Sequence, residues 1–311
     1  MLRTMPIPST FRPVMLAFIA LTCLLVTGLT AKPAYAFDTS AEFGVLIDAD
    51  TGAVLWEKDA DTRMHPASMS KLMTLSMLFD ALEAGTAKLD DEFRVSEHAW
   101  RAGGAASGSS TMFAKVGSTI PVEVLIQGII VQSGNDACIA VAEALSGSEP
   151  EFAIDMTKRG KELGLTDSTF ANSTGWPDPD QMMTSHDLAR LARHIINDFP
   201  QYYHYFSEKE FTWNGITQHN RNPALYLDPS VDGLKTGHTE EAGNCLVAIR
   251  WETSSSCQQK PALKKASAFS TGGSVHSSPT SSLPPMTWWT MPPSGRAPMP
   301  RYRLSSHPMS I

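Results

Sequence analysis

Ser68 and Lys71 stand three residues apart in Ser68-Met69-Ser70-Lys71, a spacing that puts both side chains on one face of a helix they open. A primary hydroxyl becomes a good nucleophile only when a base takes its proton, and a lysine with a lowered pKa held beside it can do so. Pro66-Ala67 brings Ser68 to a helix N-terminus, where unpaired backbone N–H groups can stabilise an oxyanion. Taken alone, the same pattern also fits a helix cap with a surface lysine. Ser133-Gly134-Asn135 falls in a polar turn between two apolar runs, a place from which side chains can point into a cleft, and also a place for an ordinary turn. Lys235-Thr236-Gly237 lies at the end of a β-type run. There the lysine can meet a carboxylate, the threonine offers a hydroxyl, and the glycine leaves room for a substrate backbone at the edge. An edge strand protected by its lysine has the same composition.

The elements that must position these residues are legible from periodicity. Glu42 to Asp48 and Ala53 to Lys58 read as strands joined at Asp50-Thr51-Gly52. Ser68 to Glu83 has helical spacing, with Leu72, Leu75, Leu78, Phe79 and Leu82 on one side, and a polar glycine-rich loop is expected from Arg101 to Ser110. Pro121 to Val131 and Ala137 to Leu145 are apolar helices around Ser133. Glu151 to Leu163 and Ser185 to Asn197 are amphipathic, the second with a serine N-cap and Asp187 in its first turn. Phe211-Thr212-Trp213 before Asn214-Gly215 suggests a hairpin, and Val231 to Gly237 and Asn244 to Arg250 read as adjacent strands. Strands at both ends with helices between predict an α+β fold whose sheet joins its termini.

Ser-x-x-Lys, Ser-x-Asn and Lys-Thr-Gly in this order form the signature set of serine β-lactamases and penicillin-binding proteins. The flanks narrow the likeness. His65-Pro66-Ala67-Ser68-Met69-Ser70-Lys71-Leu72-Met73-Thr74, Gln132-Ser133-Gly134-Asn135-Asp136-Ala137-Cys138, Phe170-Ala171-Asn172 followed by Gly175, and Val231-Asp232-Gly233-Leu234-Lys235-Thr236-Gly237-His238-Thr239 resemble the low-molecular-mass D-alanyl-D-alanine carboxypeptidases from about Phe37 to Arg250. The resemblance implies an antiparallel sheet flanked by helices, with an inserted all-helical subdomain. It implies a nucleophile at Ser68, a general base at Lys71, proton relay and amide binding at Ser133 and Asn135, and carboxylate recognition at Lys235 and Thr236 beside Gly237. The oxyanion hole would use the backbone N–H groups of Ser68 and His238, and Arg221 matches a position near the carboxylate side. The implied partners are a peptidoglycan stem peptide ending in D-Ala-D-Ala and β-lactams that imitate it; no cofactor is implied. Trp176-Pro177 stands where the family often has Leu-Pro. A β-lactamase is disfavoured by the Ser-Gly-Asn motif and the lack of a convincing deacylating glutamate.

Arg3 and Arg12, the apolar run Val14 to Leu29, and Ala34-Tyr35-Ala36 have the layout of a secretory signal peptide cut after Ala36, so the chain is expected outside the cytoplasmic membrane, periplasmic or on the membrane's outer face. An uncleaved anchor is the alternative, and any peripheral membrane association would come from it. Without residues 1–36 the chain carries 22 bases against 32 acids, which excludes nucleic acid as an expected partner. Cys138 and Cys245 read as buried apolar residues, and the histidines show no close ligand pair, so no metal is expected. From Trp251 the character changes: the last 61 residues have 6 bases and 1 acid, Ser and Pro supply 23 of them, and no strand or helix periodicity persists. This 251–311 segment reads either as a disordered low-complexity tail or as the product of a reading-frame change. Either way the fold at 37–250 is expected to be incomplete at its C-terminal end. An inactive or binding-only protein is therefore the alternative to an active carboxypeptidase.

Overall fold

The computed structural model describes residues 39–252 and 263–271. The expected signal segment, residues 253–262 and the chain beyond residue 271 lie outside the described residues.

β1 (Phe43–Asp48) and β2 (Val54–Lys58) form the antiparallel hairpin expected from sequence. Its turn is closed by Asp48, whose Oδ1 accepts from the Thr51 N–H and hydroxyl at 2.8 Å each. The nucleophile region follows as a 3₁₀ turn, Ala67–Ser70, running directly into α1 (Lys71–Glu83). Leu72, Met73, Leu75, Leu78 and Phe79 of α1 are all fully buried, because the helices at 122–131, 135–146, 149–162 and 185–198 pack on this helix. Each such side chain contributes about 1.5–3 kcal/mol of transfer free energy, so the segment carrying Ser68 and Lys71 is anchored in the core.

The helical part comprises α2 (Glu97–Gly103), α3 (Val122–Val131), α4 (Asn135–Ser146) and α5 (Glu149–Glu162), with a small ladder of β3 (Glu92–Arg94) and β4 (Thr119–Pro121). The stretch 101–110 is not a plain loop. α2 reaches into it, capped by Ser96 accepting from the Ala99 N–H, and a 3₁₀ turn follows at Ala105–Ser107. Gly103 permits this: a Cβ there would stand 2.3 Å from the Asp136 nitrogen, so α2 lies against the first turn of α4.

α6 (Ser185–Asp198) buries Leu188, Leu191, Ala192, Ile195 and Ile196 at helical spacing and packs on the sheet. Its N-cap is Thr184 rather than Ser185: the Thr184 hydroxyl accepts from the Asp187 N–H, and Ser185 is already helical and fully buried. β5 (Glu210–Trp213) and β6 (Ile216–His219) form the expected hairpin, with Asn214 and Gly215 at φ 51° and 75°, the left-handed pair that a two-residue turn requires. The short α7 (Ala224–Leu227) precedes β7 (Val231–Thr239) and β8 (Gly243–Glu252).

The reading of 251–311 as without strand structure needs correction. β8 runs on through Glu252, and β9 (Leu263–Thr271) lies between β1 and β8, antiparallel to both, in a sheet of order β2-β1-β9-β8-β7. Leu263-Lys264-Lys265-Ala266-Ser267-Ala268 has weak strand character. A central strand is held by backbone bonds along both edges, and that context outweighs intrinsic propensity. The α+β class stands, with the sheet joining the first and last described strands.

Candidate active site

Ser68 is half-buried in its 3₁₀ turn, reachable from solvent, and preceded by Ala67 at φ 47°. A non-glycine residue in the left-handed region costs on the order of 1 kcal/mol, and such strain gathers at functional sites. Lys71 is fully buried one helical turn on, and its Nζ donates to Ser68 Oγ at 2.8 Å and to the Thr174 carbonyl at 2.6 Å. Burial disfavours the ammonium and brings the Lys71 pKa down from 10.5 to about 8; the charge of Arg221 adds to this, while Cys138, Asp136 and Glu149 oppose it. Near neutral pH a useful fraction of this amine is therefore unprotonated. With the Thr174 carbonyl accepting one N–H, the lone pair is free to take the Ser68 proton.

The 172–176 turn that supplies this carbonyl is built by Asn172. Its Oδ1 accepts from the N–H groups of Thr174, Gly175 and Trp176 and from the Thr174 hydroxyl, and its Nδ2 donates to the Trp176 carbonyl. Gly175, at φ 80°, lies against the nucleophile turn, where a Cβ would fall 1.9 Å from the Ala67 oxygen. Thr74 of α1 donates to the Ser173 carbonyl at 2.6 Å, tying the turn to the helix that carries Lys71. Phe170-Ala171-Asn172 and Gly175 stood out in the sequence, but their function as the lysine's acceptor did not. An Asn followed by a glycine three residues on was the available signal.

Ser133 forms the second wall. It is buried at φ 58°, and its Oγ has no hydrogen-bond partner among the described residues. A buried hydroxyl left unpaired in this way costs about 1–3 kcal/mol unless something else engages it. Asn135 opens α4, buried, with its N–H on the Ser110 carbonyl at 2.8 Å. The next residue, Asp136, had no assigned part from sequence, yet its carboxylate accepts from the Thr111 hydroxyl and the N–H groups of Met112 and Ala114, which fixes the 110–114 segment over α4.

β7 is the third wall. Gly237 runs against the nucleophile turn: a Cβ there would meet Ala67 Cβ at 3.0 Å and the Ser68 nitrogen at 3.1 Å. Lys235 is 2% exposed, and burial pushes its pKa well below 10.5, with the positive charges of Lys71 and Arg221 adding to the effect. Its Nζ donates to the Thr236 carbonyl at 3.0 Å. Asn222 Nδ2 donates to the Gly233 carbonyl, and the Tyr203 hydroxyl donates to Asp232 at 2.6 Å, which together brace the start of the strand. Arg221 lies at the surface and donates to Ser110 Oγ at 2.6 Å, linking β7's approach to the Asn135 side of the site. His238 is exposed, with its ring Nδ1 3.2 Å from the Gly243 carbonyl oxygen. The arrangement offers a hydroxyl beside an amine of lowered pKa, next to a strand edge that carries positive charge. Acyl transfer to Ser68 from a substrate with a free carboxylate is the chemistry these groups can do.

A profile of the D-alanyl-D-alanine carboxypeptidase family matches residues 29–257. The chain is 45% identical over 206 residues to D-alanyl-D-alanine carboxypeptidase DacC of Escherichia coli K12, covering 66% of this chain and 52% of that protein. Among solved structures it is similar to penicillin binding protein 5 from Haemophilus influenzae, with a TM-score of 0.69 at 38% identity over 75% of this chain and 65% of that one. It is also similar to D-alanyl-D-alanine carboxypeptidase DacD from Francisella tularensis, with a TM-score of 0.70 at 29% identity over 79% and 70% of the two chains. The chain spans about half the length of the curated relatives it matches. On the extent of these matches, and with its three motifs gathered around one serine, the chain belongs to the D-alanyl-D-alanine carboxypeptidase family.

Proposed function

We propose that this chain is a serine-type D-alanyl-D-alanine carboxypeptidase that trims peptidoglycan stem pentapeptides. Ser68 Oγ attacks the carbonyl carbon of the penultimate D-alanine as Lys71 takes its proton, and the backbone N–H groups of Ser68 and His238 hold the oxyanion. The C–N bond then breaks, the terminal D-alanine leaves as an amine carrying a proton delivered through Lys71 and Ser133, and an ester on Ser68 remains. Water attacks that ester, releasing the shortened peptide's carboxylate and restoring the Ser68 hydroxyl. Asn135 binds the substrate amide, Gly237 admits its backbone along β7, and Lys235, Thr236 and Arg221 face the terminal carboxylate. β-Lactams acylate the same serine.

The observation that carries this reading is a fully buried Lys71, its pKa lowered to about 8, donating to Ser68 Oγ at 2.8 Å. Purified protein is expected to release D-alanine from a stem-pentapeptide analogue and to take a covalent label from a tagged penicillin, both lost in Ser68→Ala. Retention of either by Ser68→Ala overturns the mechanism; covalent labelling without D-alanine release points to a binding-only protein. The charged start, apolar run and Ala34-Tyr35-Ala36 support export with cleavage before Phe37. N-terminal sequencing of the secreted protein tests that, and a first residue other than Phe37 counts against it.

A further inference from the structure

Glu149 opens α5, and its carboxylate, 13% exposed, is turned under the 172–176 turn. Oε1 accepts from both the Ser173 N–H, at 3.1 Å, and the Ser173 hydroxyl, at 2.6 Å. Oε2 lies 3.2 Å from Nε2 of His98 on α2. Ser173 is fully buried, and the next residue supplies the Thr174 carbonyl to which Lys71 donates. Asn172 holds this turn from within and Thr74 holds it from α1, whereas Glu149 is its bond to α5. Desolvating a carboxylate is costly, and an amide could accept the same bonds more cheaply. What the carboxylate adds is negative charge within reach of Lys71, whose other charged or titratable neighbours are Cys138 and Asp136 on α4, Arg221 before α7 and Lys235 on β7.

We infer that Glu149 is a positioning residue for Lys71, fixing through Ser173 the Thr174 carbonyl that aims the amine at Ser68 and supplying negative charge behind it. The inference rests on the reading of Ser68 as nucleophile and Lys71 as base. Its two parts separate by substitution: Glu149→Gln keeps an acceptor for Ser173 and removes the charge, Glu149→Ala removes both, and Ser173→Ala removes one of the two bonds.

The test is the second-order rate of acylation by a tagged penicillin, followed with pH on the full chain, alongside a thermal melt of each variant. Glu149→Ala is expected to acylate about tenfold more slowly on the alkaline plateau, with its acidic limb moved to lower pH as in Glu149→Gln, while still melting cooperatively, the size expected from losing the two Ser173 hydrogen bonds that hold the turn. Glu149→Gln is expected to keep the plateau rate but to move the acidic limb of the profile to lower pH, since a less negative surround favours neutral Lys71. Ser173→Ala, expected about threefold slow, carries the test if Glu149→Ala does not fold. An acylation rate and limb unchanged in Glu149→Gln, together with wild-type rates in Glu149→Ala or Ser173→Ala, overturn the inference. A wild-type chain that takes no label, or a Ser68→Ala chain that still does, instead overturns the functional reading on which it rests.

Discussion

Two lysines inside one small site set the behaviour of individual residues here. Lys71 must be neutral to accept a proton, so the acylation rate is expected to rise about tenfold per pH unit up to about pH 8 and then level off. A rate of penicillin labelling that is flat across that range would show that another group is the base. Lys235 has a different liability: the charges that bear on it most, Lys71 and Arg221, are both positive, and it is buried. Replacing such a buried amine with an apolar side chain of similar length removes its desolvation and the like-charge repulsion, and single replacements of this kind stabilise a fold by about 0.5–2 kcal/mol. Lys235→Met is therefore expected to melt several degrees higher while acylating at least about a hundredfold more slowly. A variant that melts lower, or that acylates normally, would contradict this account. These side chains were legible in sequence because their types suit acyl transfer and their order along the chain resembles the family's signature. The parts played by Glu149, Asn172 and Asp136 were not, since acids and amides occur everywhere and only the fold reveals which backbone groups they hold.

At the scale of elements, the close approach of two segments to the nucleophile turn helps make a site from scattered motifs. Gly175 and Gly237 both touch Ala67, and Gly175 also requires a left-handed backbone. Gly175→Ala is expected to cost on the order of 3 kcal/mol and to lower the melting midpoint by about 6–12 °C, because the added carbon meets backbone that cannot turn aside. A differential scanning experiment showing a shift of under about 2 °C would mean the turn yields more easily than its bonds indicate. The helices and the two hairpins of local turn chemistry could be read from periodicity, as could the α+β class. β3 and β4 could not, being three residues each and paired across the α2 region. The Ser185 cap was misplaced by one residue because Thr184 and Ser185 are chemically equivalent caps, and only burial of Ser185 in the helix decides between them.

For the molecule as a whole, β9 decides whether there is one sheet or two hairpins. Among the described strands, the β2-β1 and β8-β7 hairpins are joined into one sheet through β9, which pairs with six residues of β1 and nine of β8. A chain ending at Glu252 is expected to lose its cooperative melt and, with β7 no longer tied to β1, its penicillin labelling as well. A sharp transition in that shortened chain would show that the helical part and the outer hairpins suffice. This strand escaped the sequence because composition reports a segment's own preferences, while an inner strand is held by its neighbours. The pairing of Phe43 with Ser270 also fixes an order of assembly. The helices around α1 can form from contacts near in sequence, but the sheet must wait for nearly the last described residue before its first strand is bonded on both sides. Such topology folds slowly, and until it is complete the facing edges of β1 and β8 stand open to pairing with another chain. A protein emerging from its N-terminus onward would be most vulnerable to self-association in that interval, and a refolding yield that falls as concentration rises is the behaviour this arrangement dictates.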